Sequence, residues 1–270
     1  MNPRICYLVQ SPGALEGSCR ELCESGRLVL HLTWRKPVCG ALHLPNSTWT
    51  QGRNRLLHEA RRRGLGPEYY VFLDDDIRFQ AGGWDDFEAF LLRYRPAIGV
   101  PYFPWHGGAT APLPGVEAQS VSFFDAMVNA FSADLIHSDG ILPYIAELDA
   151  RSWHFSQYFL VSLAELYGVG PILQSNCIVV ANDRHATYPQ SRDFKSALRW
   201  FEHHVLDTRT CLMWRLRRWT RILLGMQTRI VAASLPTDVG HVCILRKKKA
   251  RRIVRPEYAR SRSCALASEL

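Results

Sequence analysis

Glu68-Tyr69-Tyr70-Val71-Phe72-Leu73-Asp74-Asp75-Asp76-Ile77-Arg78-Phe79 decides how the chain reads. The residues from Tyr69 to Leu73 are apolar or aromatic and favour extended backbone, so they predict a buried strand of an α/β sheet. Three carboxylates follow without a break, at the end of the strand where open α/β sheets bind their ligands. Such charges repel one another unless they share a cation. Hard oxygen donors suit Mg²⁺ or Mn²⁺, and these ions keep open positions that a diphosphate can fill.

Upstream, Ile5 to Val9 reads as a first strand stopping at Gln10-Ser11-Pro12-Gly13, Leu15 to Ser25 as a helix ended by Gly26, and Leu28 to Leu32 as a second strand. This strand-helix-strand unit predicts a parallel, right-handed start. Ligands are then expected at Ser11, Pro12 and Gly13 and at Thr33 to Lys36, a stretch that includes Trp34 and Arg35. Leu56, Leu57 and Ala60 repeat at helical spacing within Arg55 to Arg63, and Gly64 stops that helix. At its start, Arg53 and Asn54 offer a cation and an amide to phosphate oxygens; a solvated helix end is the plainer reading.

Downstream, Trp84 to Tyr94 reads as an amphipathic helix with Phe87, Phe90 and Leu91 inward. The 21 residues between Arg95 and Glu117 carry no Lys, Arg, Asp or Glu, but five prolines among them exclude a spanning helix. Ile98 to Phe103 is read as a strand entering a long loop, in which Trp105-His106-Gly107-Gly108 resembles a lid on a flexible hinge. Ser120 to Ala130 reads as extended, Phe131 to Ile136 as a helical turn, and Ser152 to Tyr167 as a helix with Asp149 near its N-cap. Ile172 to Ala181 is a last strand, with His185 just past its end, and Asp193 to Val205 a last amphipathic helix.

At 270 residues and 47% hydrophobic, the chain has ample material for one large domain with an appendage. The eight cysteines show no zinc spacing or disulfide framework and read as reduced thiols of a cytoplasmic protein. The apolar run at the start is too short for a secretory signal. Residues 1–204 hold 18 Lys/Arg against 21 Asp/Glu, giving −3, whereas residues 205–270 hold 15 against 4, giving +11. The expected division is a catalytic domain over 1–205 and a basic amphipathic tail over 206–270. In that tail Met213-Trp214-Arg215-Leu216-Arg217-Arg218-Trp219-Thr220-Arg221-Ile222-Leu223-Leu224 interleaves Trp and Leu with Arg. An anionic membrane surface and a solvated tail are the main readings, and nucleic acid, for which no motif is present, is the lesser one.

Gly52-Arg53-Asn54, a helix, and then Tyr70 to Asp76 together resemble the nucleotide-sugar half of GT-A glycosyltransferases of the family-2 kind. The family's Asp-x-Asp at the end of a buried strand is matched by Asp74 and Asp76, and the resemblance covers roughly residues 4–205. It implies a GT-A-like, Rossmann-like mixed and mostly parallel sheet flanked by helices. It also implies Mn²⁺ or Mg²⁺ held by Asp74 and Asp76 against the diphosphate of a sugar nucleotide, UDP first among them. Asp75 would face the donor sugar or ribose, Arg53 would add a positive contact, and His185 occupies a place where some members supply a metal ligand. The implied acceptor, a hydroxyl on a glycan, lipid or glycoconjugate, lies by a region starting at Ser122 to Asp134. Inverting members carry a base near the start of the following helix, where Asp149 is the first candidate, with Glu147 and His154 behind it. Trp34 and Arg35 stand where the family often places an acid that reads uracil.

A metal-dependent nucleotidyl- or phosphotransferase would use the same carboxylates on the same kind of sheet, and a non-catalytic cation-binding module with a membrane- or nucleic-acid-binding tail is a third reading.

Overall fold

The computed structural model describes residues 3–104, 110–137, 141–182, 193–206, 211–216 and 242–243. The elements follow in the order β1 (Ile5–Ser11), α1 (Gly17–Glu24), β2 (Leu28–Thr33), β3 (Leu42–His43), α2 (Trp49–Arg62), β4 (Tyr69–Asp74), β5 (Ile77–Ala81) and α3 (Trp84–Tyr94). The second half adds β6 (Ile98–Tyr102), β7 (Ala118–Ser120), β8 (Val128–Ser132), α4 (Ala133–His137), α5 (Trp153–Tyr167), β9 (Ile172–Asn182), α6 (Phe194–His204) and β10 (Val242–Cys243). One sheet runs β10-β7-β9-β6-β8-β4-β1-β2-β3, with β5 paired to β9 off that path. β1 is parallel to both β2 and β4, as the strand-helix-strand pattern predicts, and β8 is antiparallel to both β4 and β6. The outcome is a mixed, mostly parallel α/β sheet flanked by helices.

Period-two alternation divides the strands between two cores. Cys6, Leu8, Tyr70 and Phe72 face Leu56, Leu57 and Ala60 of α2 together with α5 and α6, while Tyr7, Val9, Tyr69, Val71 and Leu73 face α1 and α3. Every side chain of β4 up to Leu73 is buried because helices cover both faces.

Strands β3 and β5 are not expected from the sequence, and two of the boundaries that differ from the expectation bear on its reading. Phe131 belongs to β8, paired with Tyr70, and helix begins only at Ala133. The second difference matters more for the site. α2 starts at Trp49, six residues before the expected Arg55, because Thr48 and Gln51 form a reciprocal capping box. Arg53 and Asn54 therefore sit inside the helix on its buried face. Gly52 lies against the Gln10 side chain of β1: a Cβ there would stand 2.0 Å from Gln10 Oε1, which would have to move aside.

The core also runs past the expected boundary at 205/206, since Leu206 and Trp214 join the cluster that holds α5 and α6. No helix among the described residues is long and apolar enough to cross a membrane.

Candidate functional site

Asp74 ends β4, and alternation from Tyr70 and Phe72 turns its side chain toward α2. Its backbone N–H donates to Met127 O at 3.0 Å, which fixes the strand end against the residue preceding β8. Its Oδ1 accepts two hydrogen bonds, from Arg53 Nη2 at 2.8 Å and from Trp49 Nε1 at 3.1 Å. The Arg53 side chain is 1% exposed and that of Asp74 25% exposed, so the ion pair joins a sequestered cation to a carboxylate at the rim. Arg53 also donates to Ala126 O at 2.9 Å and Tyr144 Oη at 3.3 Å. Its guanidinium lies 4.0 Å from the Trp49 ring centre, with Phe72 and Tyr144 beyond. Burial raises the Tyr144 phenol, so it stays a neutral partner to that cation.

Sequence reasoning placed Arg53 and Asn54 against phosphate. The structure places both against protein. Asn54 grips the backbone of Tyr144 twice, accepting from its N–H at 2.8 Å and donating to its C=O at 2.9 Å. Arg53 is enclosed by rings and by Asp74. Both side chains fix the second half of the chain to the carboxylate strand.

Asp75 and Asp76 form the turn between β4 and β5, both partly exposed. The three acids lie close together, for besides burial their charges, that of Asp75 foremost, raise the thiol pKa of Cys19, whose Sγ meets Asp74 O at 3.5 Å. Among the described residues no three His, Cys, Asp or Glu side chains converge on a point that would hold a metal. The donor set nonetheless fits Mg²⁺ or Mn²⁺. Asp74 and Asp76 are both partly exposed at the end of β4, and these ions take one or two carboxylates and fill the rest of their shell with water and phosphate. His185, the other expected ligand, lies outside the described residues, as does the lid segment Trp105 to Gly108.

Two loops gather beside Asp74, since Gln10 is its register partner on β1. Trp34 N–H donates to Ser11 O at 3.1 Å and Lys36 N–H to Pro12 O at 2.9 Å, which stitches the ends of β1 and β2 together. The Ser11 hydroxyl is fully buried, donating to Gly13 O and pairing with His31 Nε2, so it shapes the loop. Arg35 lies 4.7 Å over the Trp34 ring. These residues form one rim of the carboxyl edge.

On the other side, Val100, Phe103, Phe123, Phe124, Met127 and Val180 line a shallow, largely apolar cleft with Asp125 and Gln174 as its polar members. Of the base candidates, Glu147 is exposed within a single turn of 3₁₀ helix, Ala146–Leu148. Asp149 follows that turn, and the N-cap position of α5 belongs to Ser152. The Asp149 carboxylate accepts from the hydroxyls of Thr48 and Thr50, and from Ser156 at 3.4 Å. Burial raises its pKa against these stabilising bonds. His154, in the first turn of α5, pairs through Nδ1 with Ser152 Oγ, and burial lowers its pKa so that the ring is neutral near pH 7. Trp49 went unnoticed in the sequence, although Thr48-Trp49-Thr50-Gln51 is a legible helix start.

No protein-family model and no curated sequence matches the chain. Its fold does match solved structures. S. aureus TarS residues 1–349 in complex with UDP-GlcNAc aligns with a TM-score of 0.51 at 14% identity, covering 84% of this chain and 74% of that one. GalNAc-T7 with UDP, GalNAc and Mn²⁺ aligns with a TM-score of 0.50 at 12% identity, covering 67% of this chain but only 44% of that one. With its carboxylates at the edge of a mixed sheet, the chain has a GT-A-like glycosyltransferase fold.

Proposed function

We propose that the protein is a nucleotide-sugar-dependent glycosyltransferase that moves a sugar from a UDP-sugar to a hydroxyl of a glycan, lipid or glycoconjugate with inversion. The observation that carries this reading is the placement of Asp74 and Asp76 between the stitched loops at Ser11–Gly13 and Trp34–Arg35 and the apolar cleft. A sugar diphosphate laid along that edge would have its nucleoside on the loops, its diphosphate at the carboxylates and its sugar toward the cleft. The two solved structures of similar fold carry UDP-GlcNAc, and UDP with GalNAc and Mn²⁺, in their own sites. A bound Mn²⁺ or Mg²⁺ supplies charge neutralisation to the departing diphosphate.

The protein's own groups divide as follows. Asp74 and Asp76 hold the cation, Asp75 faces the donor, and Arg53 orients Asp74. Among the three base candidates His154 suits the acceptor hydroxyl best, because its ring is neutral and Ser152 fixes Nδ1. A thermal-shift screen of nucleotide sugars with Mn²⁺ tests the whole reading, since a ligand that binds the folded state raises its melting point. We expect a UDP-sugar to stabilise the protein and to be turned over to UDP. Release of pyrophosphate would favour a nucleotidyltransferase, and metal binding without any nucleotide response would favour a non-catalytic module.

For the basic tail, the reading is a cytoplasmic protein peripheral to an anionic membrane. The exposed large hydrophobics among the described residues are Leu212 at 61%, Met213 at 37% and Leu216 at 58%, all on one helical stretch at the start of the +11 segment. Trp214, on the inward side, packs on Phe201, and Arg215 pairs with Glu202, so this face is presented outward from the body. We expect the protein to sediment with vesicles containing anionic lipid, less so as salt rises, and the L212Q/L216Q variant to bind several-fold more weakly. Equal sedimentation with neutral vesicles, or no loss in the variant, would remove this partner.

A further inference from the structure

Trp49 owes its place to a carboxylate a hundred residues away. The hydroxyls of Thr48 and Thr50, which flank it, both donate to Asp149, one to each carboxylate oxygen. The indole between them is held on three sides, by the Arg53 guanidinium at 4.0 Å, by the Tyr144 ring at 5.1 Å and by the Trp153 ring at 5.2 Å. An indole has one hydrogen-bond donor, and here it points at Asp74 Oδ1.

We infer that Asp149 is a positioning residue that sets the carboxylate of Asp74 through Trp49, and that it is not the base that activates the acceptor. This rests on the glycosyltransferase reading. Hydroxyls of the first turn of α2 engage both Asp149 oxygens, so the carboxylate is turned into the protein toward that turn, whereas a base has to face the acceptor. Its bonds instead lock the first turn of α2, where Thr48 is both the cap and a donor to Asp149. Trp49 and Arg53 converge on the same oxygen of Asp74, which fixes the orientation of that carboxylate at the end of β4. The segment around Asp149 and the first turn of α2 thus act as a jig for the cation ligand, as outer-shell partners do at metal sites.

Calorimetry on the full chain tests this with UDP plus Mn²⁺, and with UDP plus EDTA, for wild type, Asp149→Asn, Trp49→Phe and the double variant. We expect each single variant to weaken Mn²⁺-dependent UDP binding by about tenfold to a hundredfold. The double variant should be no weaker than either single, because both changes act on one chain of contacts. Metal-free UDP binding should be unchanged, and the pH profile of kcat should keep its shape. Wild-type UDP–Mn²⁺ binding in folded Asp149→Asn, with kcat collapsed and the limb of the pH profile lost, would overturn the inference and make Asp149 the base. Should Asp149→Asn fail to fold, wild-type metal-dependent binding in Trp49→Phe would overturn it equally. If wild type itself binds no nucleotide with Mn²⁺, the glycosyltransferase reading fails and this inference with it.

Discussion

Arg53→Met should lower folding stability by about 3 kcal/mol, the cost of breaking a buried ion pair by removing one partner. The guanidinium is 1% exposed and offers donors to Asp74, Ala126 O and Tyr144 Oη. Methionine fills much of the space between Trp49, Phe72 and Tyr144, so the loss is electrostatic rather than a cavity. Asp74, 25% exposed, recovers part of its hydration, which places the value at the low end of the range for buried pairs. Arg53→Lys should lie in between, since an ammonium supplies charge but not a planar fork that serves several acceptors at once. Urea unfolding monitored by Trp fluorescence gives the comparison. An unfolding free energy for Arg53→Met within about 1 kcal/mol of wild type would show that the ion pair contributes nothing net.

Asp76→Ala should do the opposite: leave stability within about 1 kcal/mol and lower turnover by about a thousandfold. The residue sits in the partly exposed turn between β4 and β5, where substitutions have small effects on folding. A cation that offsets charge on a leaving diphosphate is worth several kcal/mol, and each 1.36 kcal/mol is tenfold in rate. A fall of about a thousandfold in UDP release with Mn²⁺ follows. Hydrolysis of the donor at the wild-type rate would sink the assignment of Asp76 as a cation ligand. Set beside Arg53→Met, the pair separates a residue that builds the site from one that operates in it.

The sequence made the carboxylate strand legible because its signals are local. Five β-favouring residues, an abrupt change to acids, and the helix-stopping Gly64 just upstream require no knowledge of the rest of the chain. The parallel start was legible for the same reason. Arg53 and Asn54 were misplaced because the apolar repeat at Leu56, Leu57 and Ala60 marks the middle of α2, whereas its start is written in the polar pair Thr48 and Gln51. Once the helix begins at Trp49, both residues fall on its inner face. Asp149 is legible as a candidate residue but its contacts are not: its hydroxyl partners are 101 and 99 residues away, and no periodicity encodes a contact of that separation. Phe131 shows a smaller limit, since an aromatic at the junction of β8 and α4 satisfies either element and only pairing with Tyr70 decides.

Trp214 and Leu206 belong to the same core as α5 and α6. A clean removal of the tail therefore has to begin after Leu216; a cut at Val205 would strip the ring that covers Phe201 and confuse lost stability with lost lipid binding. The same packing sets posture. If Leu212, Met213 and Leu216 grip a bilayer, they do so from a bracket fixed to the folded body rather than from a slack tether. The tilt of the sheet and the height of its acidic edge above the headgroups would then be properties of the fold, and acceptors would be selected by how far from the surface they carry their hydroxyl.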